Sequence, residues 1–165
     1  MMTLEEINNL DRPAFVGALG WIFEHSPWVA EEAWRMRPFD NLDALLAAMA
    51  SAVRLAGREK QLALILAHPD LGTRAKMSSA SVGEQAGAGL DQLSAEEMNR
   101  LQELNAAYTA RFGFPFVLAV KGATKNEILR ALEQRLGEEP ESEIQTALMQ
   151  IERIAWFRLS SAVVA

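Results

Sequence analysis

The apolar residues of this chain recur at helical rather than alternating spacing. Leu42, Leu45, Leu46, Met49 and Val53 form one stripe, and Leu101, Leu104, Tyr108 and Phe112 a second. Ile128, Leu132 and Leu136 give a third, and Ile144, Leu148, Ile151 and Ala155 a fourth. Positions three and four apart share a helix face, so each stripe predicts an amphipathic helix packed on one side. Helix punctuation agrees. Thr3-x-x-Glu6, Ser94-x-x-Glu97 and Thr124-x-x-Glu127 each fit the capping box, in which a hydroxyl and a carboxylate satisfy free backbone N–H groups reciprocally. Ser26 before Pro27 reads as an N-cap with proline in the first turn, Asp40 as the start of another helix, and Gly57 and Gly137 as stops. These marks predict seven or eight helices, near 3–9, 13–25, 27–36, 41–56, 58–67, 95–112, 125–136 and 140–161. Only Phe116–Val120 reads as extended, and a lone strand cannot build a sheet. The expected fold class is all-α.

Two stretches interrupt the pattern. Residues 68–91 are rich in Gly and Ser with no long apolar stripe, and Arg111–Gly122 is apolar but broken by Gly113 and Pro115. Long irregular segments in a small helical protein are more often functional than accidental. Composition narrows what they can do. The 165 residues, half of them apolar, suit one compact domain over 1–165, with no repeat or low-complexity linker to divide it. A net charge of −6 disfavours nucleic acid and anionic membrane as partners. There is no cysteine, which excludes disulfides, thiolate metal sites and Cys nucleophiles, and two histidines cannot build a multi-histidine metal centre. No apolar run is long enough to span a bilayer, and Met1–Leu10 has no signal-peptide character. The expectation is a soluble cytoplasmic protein.

His68 closes the apolar run 62–67, and Pro69 restricts it to non-helical backbone. An imidazole opening a polar loop suits a general acid or base near neutral pH; the alternative is a helix-end histidine interacting with free carbonyls. Ser81-Val82-Gly83-Glu84-Gln85 places a hydroxyl, a carboxylate and a carboxamide at i, i+3 and i+4, one face of a helical turn. Such a face can recognise an amide-rich ligand, and Glu84 can hold the His68 imidazole in one tautomer. Taken locally, a solvated helix start explains the same residues more simply.

Arg158 lies seven residues after Ile151, which brings it within about 20° of a buried face. A guanidinium there needs a partner, either a substrate carboxylate or the helix end itself. Phe116, Val117, Leu118, Ala119 and Val120 form a candidate backbone rail beside a pocket, or else a buried crossing segment. Arg111 reads as a helix-end cation, His25 as structural, and the four tryptophans as core or interface anchors. No GxGxxG, P-loop or metal spacing is present.

In their order along the chain, several of these residues resemble one family. They are Phe23-Glu24-His25-Ser26-Pro27-Trp28, His68-Pro69-Asp70-Leu71, Ser81-x-x-Glu84-Gln85 with Gly87-Ala88-Gly89-Leu90, Arg111-Phe112-Gly113-Phe114-Pro115-Phe116, Thr124-Lys125-x-Glu127-Ile128-Leu129 and Ile154-Ala155-x-x-Arg158-Leu159. The set is similar to that of 2-oxo-4-hydroxy-4-carboxy-5-ureidoimidazoline (OHCU) decarboxylases, which act in urate degradation. The resemblance implies an all-α, cofactor-independent and metal-free carboxy-lyase forming (S)-allantoin, commonly a homodimer. It also implies that His68 is the proton donor and that Glu84 works beside it. Pro69, Ser81, Val82, Gly83, Gln85, Phe116–Val120 and Arg158 would then contact the small-molecule substrate. Without the resemblance, a non-enzymatic helical binding module would use the apolar stretch 114–120 and the tryptophans as a partner surface, and a His/Glu-assisted hydrolase of a cyclic amide would keep the same residues but attack with water.

Overall fold

Helix punctuation decides where the elements of this chain begin and end. The computed structural model describes residues 1–72 and 79–165, so residues 73–78 of the Gly/Ser-rich stretch lie outside the described residues. The described residues form two compact units, Met1–Ala67 with Ile151–Ala165, and His68–Gln150.

The first unit opens with β1 (Met2–Thr3) and α1 (Leu4–Asn9). The Thr3 hydroxyl accepts from the Glu6 N–H at 3.1 Å and the Glu6 carboxylate accepts from the Thr3 N–H at 2.7 Å, the capping box its sequence predicts. α2 (Arg12–Leu19) starts at the Asp11 cap with Pro13 in its first turn. It is shorter than the predicted 13–25, because the chain turns after Gly20 rather than continuing as helix. α3 (Trp28–Trp34) is capped by Pro27 without a side-chain bond, not by Ser26. The buried Ser26 hydroxyl instead donates to the Glu24 carbonyl at 2.9 Å. α4 (Leu42–Leu55) begins at Asn41 rather than Asp40, since the Asn41 carboxamide accepts from the Ala44 N–H. Gly57, with φ +90°, links α4 to α5 (Arg58–Leu66), a left-handed turn that a side chain would resist.

β1 pairs in parallel with β2 (Val163–Val164), in the register Met2 with Val163 and Thr3 with Val164. This short pair carries no alternating pattern and was not legible in the sequence. Ile7, Phe15, Leu45, Met49, Leu64 and Leu159 are among the core residues of this unit. The tryptophans are not: Trp21 is exposed, and Trp28, Trp34 and Trp156 are half-buried. Their indoles are long enough to cover the core from outside, and Trp21 and Trp34 donate their N–H groups to backbone carbonyls.

The second unit holds α6 (Ser79–Gly87), α7 (Ala95–Phe112), α8 (Lys125–Arg135) and the start of α9 (Pro140–Ala162), whose residues from Ile151 onward belong to the first unit. Ser94 and Glu97 complete a capping box. At Thr124 only half of one forms, because the Glu127 carboxylate accepts from the Thr124 hydroxyl rather than from its backbone. Gly113, with φ +81°, ends α7 in the left-handed conformation. Tyr108 is fully buried, with the rings of Phe112, Phe114 and Phe116 at centroid distances of 4.6, 6.0 and 5.5 Å.

All-α is the architecture: nine helices and one two-residue strand pair among the described residues. Two predicted stripes hold in part: Ile128, Leu132, Ile151 and Ala155 are buried as expected, and the rest of each stripe departs. In α8 Arg135 is buried and Leu136 half-buried, and in α9 Glu143 and Ala147 are buried where Ile144 and Leu148 were expected. In both cases the polar residue has a buried partner, which hydrophobicity alone does not register.

Candidate active site

α5 ends when Pro69 makes continuation impossible. The Ala67 N–H bonds the Ala63 carbonyl at 3.0 Å, and His68 follows as the first residue of the second unit. His68 is 8% exposed, Pro69 and Asp70 are half-buried, and Leu71 is buried. Two side chains of the same unit fix the turn that follows. Asn105 donates from Nδ2 to the Leu71 carbonyl at 3.0 Å, and the Gly72 N–H donates to Gln85 Oε1 at 2.8 Å. Gly72 has φ +81°, and a Cβ there would stand 2.6 Å from Leu101 Cδ2. Gly72→Ala is therefore expected to lower stability by about 1–3 kcal/mol, through both strain and crowding. Thermal unfolding reads this directly, and an unchanged melting temperature would contradict it.

The predicted Ser81–Gln85 cluster stands on α6, so this part of the stretch read as irregular is helical. Ser81 and Gln85 are buried, Val82 and Glu84 half-buried and Gly83 exposed, with Ser81, Glu84 and Gln85 on one face as their spacing requires. The Gln85 side-chain oxygen is engaged by Gly72, which leaves its amide N–H groups as the end that can donate elsewhere. One hydrogen bond thus ties the turn that follows His68 and Pro69 to the helix that carries Ser81 and Glu84. His68, Ser81 and Glu84 each have an interaction partner.

Asp70, one residue beyond Pro69, has its carboxyl pushed above the ordinary range by burial. A raised folded-state value means that Asp70 favours the fold most below the unfolded pKa of 3.8, and that this contribution is lost as pH rises through the folded value. Asp70→Asn is expected to raise the melting temperature at pH 7, and the gain should fade as the buffer is brought to about pH 4. A gain of equal size at both pH values would contradict a desolvated carboxylate.

Phe116–Val120 lies outside helix and strand. Phe116, Val117 and Val120 are buried, Leu118 and Ala119 half-buried. Its peptide groups are partly satisfied by this unit. Arg135 donates from Nη1 to the Val117 carbonyl at 2.6 Å, and the Ala119 N–H donates to Gln150 Oε1 at 3.0 Å. Among the described residues, none bonds the N–H or C=O of Leu118.

Arg158 belongs to the first unit and is 4% exposed. The partner its position demanded is Glu24, whose buried carboxylate accepts from Nη2 at 2.8 Å, and Nη1 lies 3.2 and 3.3 Å from the carbonyls of Trp21 and Ile22. Glu24 is a partner that neither of the two sequence readings, substrate carboxylate or helix end, had named. Glu24 also lies 3.6 Å from the Nε2 of His25, a residue with φ +46°.

Asn105, Arg135 and Gln150 escaped the sequence reading. Asn105 falls at i+4 from Leu101, and Arg135 at i+7 from Ile128, so both sit on faces that the apolar stripes mark as buried. A polar residue on such a face was the available signal. Gln150 gives none, being one polar residue among many on α9.

No helix of the described residues is long and apolar enough to cross a membrane. The OHCU decarboxylase family profile matches residues 8–160. The 2-oxo-4-hydroxy-4-carboxy-5-ureidoimidazoline decarboxylase of Haloferax volcanii is 50% identical over 159 residues, 96% of this chain and 95% of the relative. A uric acid degradation bifunctional protein of Bacillus subtilis is 48% identical over 99% of this chain, which spans 33% of that longer protein. Among solved structures, an (S)-allantoin synthase superposes with a TM-score of 0.81 at 34% identity, over 98% of this chain and 54% of that one. An OHCU decarboxylase crystallised in the presence of (S)-allantoin gives 0.68 at 25% identity, over 81% and 89%. With its profile, its relatives and its helical architecture in agreement, this chain belongs to the OHCU decarboxylase family.

Proposed function

We propose that this protein decarboxylates OHCU to (S)-allantoin, with His68 as proton donor and Glu84 as the carboxylate that orients it. The observation that carries the site assignment is the Gly72–Gln85 hydrogen bond, which joins the two sequence segments bearing these residues inside one unit. Both units are read as one OHCU decarboxylase domain over 1–165, because the family match runs across both.

The chemistry asks little beyond placement. Loss of CO2 leaves an electron pair on a ring carbon, and the substrate's own carbonyl and imine groups accept that density, so no external electron sink is needed. The protein has to hold the scissile C–C bond across the plane of the ring, keep bulk water away and deliver one proton to one face. Ser81, the Gln85 amide N–H groups and the Pro69 and Val82–Gly83 backbone are assigned to the ring and ureido arm, together with the peptide groups of 116–120. Arg158, held by Glu24, is assigned as the cation on the substrate side by resemblance. A tight clamp on the departing carboxylate would stabilise the ground state and slow the reaction, and a guanidinium already shared with Glu24 and two carbonyls is a weakened clamp. The protein is taken to be a cytoplasmic homodimer, with a small molecule rather than nucleic acid or membrane as its partner.

The test is CO2 release from freshly oxidised urate in the presence of the protein. Faster release than in the blank supports the decarboxylase. Consumption of the substrate by water uptake without CO2 would indicate a cyclic-amide hydrolase, and no acceleration at all would indicate a binding module.

A further inference from the structure

Arg135 sits in the last turn of α8 with 9% of its surface exposed, and the one bond of its guanidinium to backbone, among the described residues, goes to the 116–120 stretch. Its Nη1 holds the Val117 carbonyl at 2.6 Å, its Nε donates to Glu143 Oε1 at 2.8 Å, and its guanidinium lies 4.4 Å from the centre of the Phe116 ring. Tyr108 donates its hydroxyl to the same Glu143 oxygen at 2.5 Å, and burial beside that carboxylate pushes the phenol far above its ordinary range, so it stays a donor. The remaining nitrogen, Nη2, is buried and has no hydrogen-bond partner among the described residues. A buried cation with a donor unpaired is a poor way to fill core space; apolar side chains of similar volume would cost less. What the guanidinium supplies is a rigid planar fork, which fixes the carbonyl on one side and the carboxylate on the other.

We propose that Arg135, braced by Glu143 and Tyr108, is a positioning residue for the decarboxylation. It fixes Val117 while Gln150 fixes Ala119, which holds the intervening peptide groups of Leu118 in place to recognise the amide edges of the planar substrate. The inference rests on the function proposed above. It extends that reading to residues outside the site itself, which would act only through backbone.

Two variants test it, each with one readout that needs no turnover. Gln150→Leu removes the acceptor for the Ala119 N–H at a half-buried position, and Arg135→Lys keeps a cation for Glu143 but loses the fork. Amide hydrogen exchange across 116–120 is expected to accelerate at least tenfold in both, with the remaining helices protected as in the wild type. With OHCU as substrate, KM is expected to rise about tenfold and kcat to change much less. That split is a result that general loss of structure would not give. If Arg135→Lys fails to fold, Gln150→Leu alone decides. Unchanged exchange would overturn the brace, and faster exchange with unchanged KM would overturn its connection to substrate. A wild-type protein that does not accelerate OHCU decay would instead reject the proposed function, and the exchange measurement would still judge the brace.

Discussion

His68→Asn is expected to lower the enzymatic rate of (S)-allantoin formation by about 10²–10⁴-fold, the usual worth of a positioned general acid. At 1.36 kcal/mol per factor of ten, that is about 3–5 kcal/mol of lost transition-state stabilisation. Asparagine keeps a polar, hydrogen-bonding side chain of smaller volume that cannot act as the acid. His68 is also the first residue after a helix cap rather than part of the hydrophobic core, so the fold should survive. The loss should fall on kcat, because proton delivery comes after binding and contributes only in the transition state. Residual activity near that of the wild type would remove His68 from the mechanism.

Glu84→Gln carries the second largest expected effect. Glutamine matches glutamate in size on α6 and can still accept a hydrogen bond, but it cannot stabilise a charged imidazole. Glu84 is assigned to hold the His68 imidazole in the orientation that delivers its proton, and its charge favours the imidazolium. That predicts a fall in kcat of about tenfold or more, with KM little changed. An unchanged rate would show that the two side chains act independently.

The helical architecture was legible because helices announce themselves in a single sequence. The capping boxes at Thr3 and Ser94 and the stripe from Leu45 to Val53 are local features, and local features survive folding. Boundaries were less legible where two residues compete for one role. Asp40 and Asn41 both cap well, and only the backbone geometry selects Asn41. The β1–β2 pair joins residues more than 150 positions apart, and no local pattern encodes it.

The candidate site divides in the same way. His68, Glu84 and Gln85 stood out by residue type and spacing, but only the resemblance to a family assigned them to a site, since a solvated helix start explained the Ser81–Gln85 cluster as well. Their supports did not stand out. Asn105 and Arg135 are polar side chains on buried faces, and Gln150 looks like any other surface glutamine until the Ala119 N–H is found against it. Arg158 illustrates the converse. Its position correctly demanded a partner, but that partner, Glu24, lies 134 residues away along the chain.

OHCU decays by itself to racemic allantoin, so the hand of the product distinguishes guided protonation from spontaneous chemistry. The most direct measurement is therefore the circular dichroism of allantoin as it forms, followed in parallel for the wild type, His68→Asn and a protein-free blank. The account predicts a rapid rise of the (S) signal with the wild type alone, the other two staying near zero. A wild-type trace no different from the blank, or an (S) signal from His68→Asn rising as fast as that of the wild type, would contradict it.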